Sequence, residues 1–324
     1  MDSLSLIKRP IISEINRFRD DFVRSLAHAN PLLDSALKVV SSRTGKIMRP
    51  ILVFLSAKLF GDINDITNYS ALTFEFFHTA SLLHDDVVDE SDQRRGELSI
   101  NKAFNNQIAI LVGDYILSIA LLNASKTSSH EIIRSVSTAA SRLAEGELQQ
   151  LDNVPSINFS EDVYFNIISN KTAALFASCA ESGARSVGAS KEDIEVMRQF
   201  GETLGICFQI RDDIFDYDHA ANIGKPTGND MKEGKLTLPV LYVLNKTNDQ
   251  NMKSVAIKIK KGEVTESEIS DIVRFTIDNG GIDYARKVMF DYADKAKSLL
   301  NRYPDSEVKS SLLAYADYVV GRNI

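Results

Sequence analysis

The 324-residue chain carries 44 acidic against 37 basic side chains, a formal net charge of −7, and 44% of its residues are apolar. That is enough apolar material for a sizeable core, while the acidic balance argues against a nucleic-acid partner, which selects for basic surfaces. Two cysteines, Cys179 and Cys207, lie in apolar surroundings with no metal-like spacing and fit a reduced, cytoplasmic setting.

At the N-terminus, MDSLSLIKRP has no apolar run of secretory length, so no signal peptide is expected. Prolines stand at 10, 31, 50, 155, 226, 239 and 304. The proline-free stretch between the third and the fourth is rich in Ala, Leu, Ile and Glu and predicts long helices. Breaks are expected at GDINDITN (61–68), SDQRRGELS (91–99) and SKTSSH (125–130). The apolar stretch 108–124, IAILVGDYILSIALLNA, is slightly short for a membrane span and has Asp114 in its middle, where lipid would make a charge costly. It reads as a buried core helix, with no transmembrane segment. Later breaks fall at VPSINFSED (154–162), GARSVGASKED (183–193) and YDHAANIGKPTGND (217–230), with Ser160 and Ser190 placed as helix N-caps. No sustained two-residue alternation and no Asn-Gly hairpin signal occur, so strands are not expected. The reading is all-α: a single domain, 1–324, of roughly a dozen helices around a central cavity.

Two acidic clusters carry the chemistry. In HDDVVDESDQRRG (84–96), Asp85 and Asp89 are four apart and share a helix face, while Asp86 points elsewhere. In RDDIFDYD (211–218), Asp212 and Asp216 repeat the spacing, with Gln209 one turn earlier. Like charges so placed repel, and a solvated acidic face with arginines nearby, Arg94 and Arg95 in the first cluster, is the bland explanation of one cluster alone. Both pairs, however, end apolar segments, TFEFFHTASLLH and LGICFQIR. Charge beside a core needs compensation, and Mg²⁺ supplies it by joining one or two carboxylates to substrate phosphates and water.

These paired DDxxD motifs resemble the trans-isoprenyl diphosphate synthases. Further matches are TGKIMRP (44–50), LVGDY (111–115), GELQQL (146–151), NKTA (170–173), FQIRDDIFDYD (208–218) and GKPTGNDMKEGKLTLP (224–239), so the similarity covers nearly the whole chain. The resemblance implies Mg²⁺, three ions per active site, held by Asp85, Asp89, Asp212 and Asp216. It implies that Lys46, Arg49, His78 and Arg95 bind isopentenyl diphosphate. Arg94, Lys171, Lys225 and Lys235 would hold an allylic diphosphate, and Thr172 and Gln209 would stabilise the cation formed from it. A homodimer is implied too. The first motif departs from the family at Thr44 and Ile47, where glycine and arginine are usual; one phosphate contact is lost while Lys46 and Arg49 remain. His84 reads equally as a packed helix residue.

Product length is expected to depend on the helix preceding Asp85. At about 1.5 Å per residue, Ser81 lies about 6 Å and Phe74 about 16 Å below Asp85, both within roughly 40° of it on a helical wheel. Short-chain members usually carry a bulky residue four or five positions before the first aspartate; here those positions are Ser81 and Ala80. Phe74 and Phe77 either floor the tunnel or fill the core. The expected product is hexaprenyl to decaprenyl diphosphate, centred on octaprenyl and serving quinone side chains. A farnesyl or geranylgeranyl diphosphate synthase is the nearest alternative, ahead of a non-catalytic subunit of a heteromeric synthase and a terpene cyclase.

Overall fold

A computed structural model of the chain describes residues 3–42, 45–94, 96–153, 159–217 and 228–321. Helices account for most of them, in agreement with the all-α expectation. The one departure is a two-residue antiparallel ladder, Gln93–Arg94 against Glu97–Leu98, beside Gly96, whose φ of 81° suits glycine. Alternation over two residues leaves no periodicity to read. The chain is also cut more finely than a dozen helices, because short pieces such as Ile100–Ala103 and Asn229–Lys232 interrupt the breaks.

Two compact units are built from interleaved segments. The first comprises Met1–Thr138, Ser178–Arg198 and Pro304–Ala314. At its centre, helix Met48–Lys58 is buried from Ile51 through Ala57. Helix Asp65–Val88 starts where Asn64 and Thr67 form a capping box, and the Thr67 hydroxyl also meets that of Ser186 at 2.7 Å. Its aromatic residues Phe74, Phe76 and Phe77 are buried, and Phe76 stacks on Phe22 at 4.5 Å between ring centroids.

Helix Asn106–Lys126, capped by the Asn105 side chain, packs along Asp65–Val88. It is long and apolar enough to cross a membrane, but the core-helix expectation holds for only one of its faces. Val112, Ile116 and Ile119 are buried, whereas Leu111, Leu121 and Leu122 are each more than half exposed. Asp114 lies on the open face and meets His84 Nε2 at 3.4 Å, so its charge stays near solvent.

The second unit comprises Ala139–Ala177, Gln199–Tyr303 and Tyr315–Ile324. Its core gathers Tyr217, Met231, Val240, Leu244, Ile259, Ile269 and Ile272. Both expected N-caps form: Ser160 Oγ accepts from the Val163 amide at 3.4 Å, and Ser190 Oγ, in the first unit, accepts from the Asp193 amide at 3.1 Å.

Candidate active site

In the first unit the acidic cluster sits at a helix C-terminus. Asp85 is half-buried inside Asp65–Val88, and Asp89 is the exposed C-cap. The helix dipole presents partial negative charge at this end, so two carboxylates there raise the local demand for a cation. Asp86 meets that demand internally. Buried at 2% exposure, it takes Arg94 Nε and Nη2 on one oxygen, both at 2.7 Å. Asn101 Nδ2 donates to the carbonyls of Asp86 and Ser91, tying down the chain that follows.

Arg94 and His78 come together on one cavity of about 70 Å³, whose walls include Gly45, Glu75, Asp86 and the apolar Phe22, Leu83 and Ile100. The sequence reading had assigned the two to different substrates. Arg49 is half-buried and Lys46 exposed, flanking Ile47. Ile47 is almost fully buried at φ 50° and ψ 42°, a left-handed conformation that strains a β-branched residue. Its side chain is buried in the core. Thr44 and Arg95 lie outside the described residues.

His84 resolves as a packing residue. A Cβ at Gly113 would stand 2.4 Å from His84 Nε2, so the glycine of LVGDY exists to let the imidazole lie against the neighbouring helix. Of the chain-length positions, Phe74, Phe77 and Ala80 are buried, while Ser81 is half-buried and donates its hydroxyl to the His78 carbonyl at 2.9 Å.

In the second unit, one cavity of about 150 Å³ is lined by Lys171, Gln209, Lys235, Asp213, Asp230 and Tyr164, among others. A directional chain of hydrogen bonds orders it. The Thr172 hydroxyl donates to Gln209 Oε1 at 2.9 Å, and Gln209 Nε2 donates to Asp213 Oδ1 at 2.9 Å. Tyr164 closes the line by donating to Asp213 Oδ2 at 2.6 Å. Because its proton is committed to Gln209, the Thr172 oxygen is left with lone pairs only, the polarity that faces a cation favourably. Lys171 reaches Glu147 at 2.7 Å and Gln150 at 3.0 Å, both on helix His130–Asn153.

Burial drives the Asp213 carboxyl well above its ordinary range, with the charge of Asp230 adding to the effect. Asp230 rises too, from burial first and then from Asp216. Asp216, also raised by burial, accepts the amides of Asn229 at 2.9 Å and Asp230 at 3.2 Å, one on each oxygen. Asp216 therefore caps the short helix Asn229–Lys232, a structural duty that its spacing from Asp212 does not reveal. Lys225 lies outside the described residues.

Taken unit by unit, the outward carboxylates are of the type that suits a hard divalent cation. Asp85, Asp89 and Asp212 offer carboxylate oxygens on partly exposed surfaces, and Asp216 retains lone pairs beyond its two amide bonds. Among the described residues, no three His, Cys, Asp or Glu side chains form a cage by themselves.

Several residues of the site escaped the sequence reading. Glu147 and Gln150 sit in GELQQL, Asp213 in RDDIFDYD and Asp230 in GKPTGNDMKEGKLTLP, so the motifs contained them without marking their roles. Tyr164 carried no signal, since its partner is 49 positions away.

A family profile described as "Polyprenyl synthetase" matches residues 30–276. Octaprenyl diphosphate synthase of Haemophilus influenzae is 33% identical over 324 residues, spanning 100% of this chain and 97% of that protein. The crystal structure of geranylgeranyl pyrophosphate synthase from Bacteroides thetaiotaomicron shares 48% identity, with a TM-score of 0.88 over 99% of this chain and 100% of that one. A polyprenyl synthase from Caulobacter crescentus, complexed with calcium and isoprenyl diphosphate, is 32% identical with a TM-score of 0.90, covering 99% and 97%.

Proposed function

Because the chain belongs to the polyprenyl synthetase family and is a trans-polyprenyl diphosphate synthase with the all-α isoprenoid synthase fold, we propose that it condenses isopentenyl diphosphate with an allylic diphosphate in a Mg²⁺-dependent reaction. The observation that carries this reading is the ordered line Thr172–Gln209–Asp213–Tyr164, whose last three members line one cavity together with Lys171 and Lys235. In this reading, ordered oxygen acceptors and two lysines border one small volume.

Asp85, Asp89 and Asp212, with Asp216, would hold the metal ions, which would supply charge neutralisation for a departing diphosphate. Lys171 and Lys235 hold the allylic diphosphate oxygens as point charges, and Lys225 joins them in this reading. As the allylic carbon–oxygen bond breaks, positive charge develops on carbon, and the Thr172 oxygen and the Gln209 carbonyl dipole stabilise it. Lys46, Arg49, His78 and Arg95 orient isopentenyl diphosphate so that its double bond attacks that carbon, and prebinding of both substrates lowers the entropic part of the barrier. Arg94, already forked onto Asp86, adds its outward edge to a diphosphate. Apolar walls exclude water from the cation. The proton lost after condensation goes to the departed diphosphate.

For product length we infer octaprenyl diphosphate, within the hexaprenyl-to-decaprenyl range, from small Ser81 on the face below Asp85 and from small Ala80, which the family resemblance alone singles out. A geranylgeranyl product is the second reading, favoured by the 48% identity to the Bacteroides protein of that description. Product chromatography with Mg²⁺ and geranyl, farnesyl and geranylgeranyl primers separates the two: chains of about 40 carbons support the first, and arrest at 20 carbons the second. In the first case Ala80→Phe or Ser81→Phe shortens the product, and an unchanged length removes the tunnel from the picture. We place the enzyme in the cytoplasm, acting in quinone side-chain synthesis, with the whole chain as one catalytic domain. A homodimer accounts for the exposed Leu111, Leu121 and Leu122 on Asn106–Lys126.

A further inference from the structure

Between helix Glu161–Ile168 and helix Ala174–Ser186 the chain makes a single π-helical turn, Ser169–Ala173, which contains Lys171 and Thr172. The Ala174 amide donates to the Ser169 carbonyl, five residues back instead of four. Such turns are rare within α-helices, and the extra residue rotates the side chains that it carries. Something outside the turn must hold it against relaxation to the ordinary ladder.

Arg142, on helix His130–Asn153, is placed to do so. Its Nε donates to Asn170 Oδ1 at 3.0 Å. Its Nη2 donates to Ser169 Oγ at 3.0 Å and to the Ser169 carbonyl at 3.4 Å, the same carbonyl that accepts the π bond. Glu202 Oε1 lies 3.6 Å from Nη2 and balances the guanidinium charge. One turn along the same helix, Gly146 lets the turn approach: a Cβ there would lie 2.8 Å from Lys171 Cγ. The rigid planar fork of an arginine can grip two successive residues of a turn in fixed geometry; a lysine ammonium cannot.

We propose that Arg142 is a positioning residue for the condensation: it holds the π turn in the register that aims Lys171 at the allylic diphosphate and Thr172 at the developing cation. The inference rests on the roles given above to those two residues. Arg142 itself touches no reacting group.

Steady-state kinetics on purified full-length Arg142→Gln, Arg142→Lys and Lys171→Ala, with Mg²⁺ and both substrates varied, test it. For Arg142→Gln the expected result is a kcat lowered about tenfold to a hundredfold, the scale set by misplacing a catalytic group by about 1 Å. KM for isopentenyl diphosphate stays within about twofold, because on this reading that substrate is not held by the turn. Amide hydrogen exchange at Ala173 and Ala174 accelerates, and Arg142→Lys recovers only part of the rate. If Arg142→Gln fails to fold, Arg142→Lys with the exchange measurement carries the test. Wild-type kcat per folded molecule in either variant overturns the inference, as does a loss that merely follows the melted fraction. If Lys171→Ala turns over normally, the assignment of the site is at fault; if Lys171→Ala is inactive while Arg142→Gln is unimpaired, the role of Arg142 alone is refuted.

Discussion

The two acidic clusters share one sequence word and solve its electrostatic problem in opposite ways. In both, the middle aspartate is buried and the outer ones are more open. Asp86 is neutralised by a cation from its own strand ladder, Arg94. Asp213 instead accepts hydrogen bonds from the neutral groups of Tyr164 and Gln209, and burial pushes its carboxyl toward the protonated form. The outer residues differ as well. Asp89 is an exposed helix cap, whereas Asp216 is tied to the backbone of a second helix. Identical spacing therefore fixes which carboxylates reach outward, and the neighbours decide how the inward one is satisfied.

That contrast breaks most visibly at the outward residues. Replacing Asp85 or Asp212 by Asn is expected to lower kcat about a hundred- to a thousandfold while leaving the fold intact, the scale of losing one charge-stabilising group in a site. Incorporation of radiolabelled isopentenyl diphosphate at saturating Mg²⁺, alongside circular dichroism, checks both halves of that expectation. Equal and complete loss in the two variants would mean that the clusters are equivalent; unchanged turnover in either would remove it from the metal set.

The inward residues separate next. Asp86→Asn strips the charge partner from Arg94 at a buried carboxylate and is expected to cost about 2–3 kcal/mol of stability. Asp213→Asn exchanges one acceptor for a donor, which the rotatable Tyr164 hydroxyl partly accommodates, and is expected to cost about 1 kcal/mol. Urea denaturation of the two variants ranks them directly. A larger loss for Asp213→Asn would reverse the contrast drawn here.

The smallest effect is in pH. A carboxyl whose pKa is raised by folding binds its proton more tightly in the folded state. The stability it contributes is complete below the ordinary carboxylate range and is lost as pH rises through the raised value. Asp213 and Asp230 are both raised, so metal-free protein should melt at a lower temperature as pH climbs from the acidic range to neutrality. Asp213→Asn should flatten part of that slope, and Mg²⁺ with inorganic diphosphate should offset it by neutralising the same charges. Melting curves between about pH 5 and 8, with and without the metal, measure this; a flat profile would mean that these carboxyls are ionised throughout.

Much of this was readable from residues close in sequence. Ser160, Ser190 and the polar breaks act within a turn or two, so helix boundaries emerged from local chemistry. The i, i+4 aspartates likewise declared their shared face. What stayed hidden depends on distant partners or on hydrogen-bond register. Asp216 caps amides 13 and 14 residues later, and Arg142 grips a turn 27 and 28 residues away. The π turn at Ser169–Ala173 has no compositional mark, since it is defined by which carbonyl an amide chooses. The apolar stretch 108–124 misled for a related reason. High hydropathy all round a helix hides whether its second face meets core or remains open, and Leu111, Leu121 and Leu122 turned out to be exposed.

The most direct measurement is anomalous diffraction from crystals soaked with Mn²⁺ and an unreactive farnesyl thiodiphosphate. Anomalous peaks bridging the diphosphate to Asp85 and Asp89, and to Asp212, are the expected result. Peaks bound elsewhere, or a diphosphate seated away from Lys171 and Lys235 with those aspartates unligated, would contradict it.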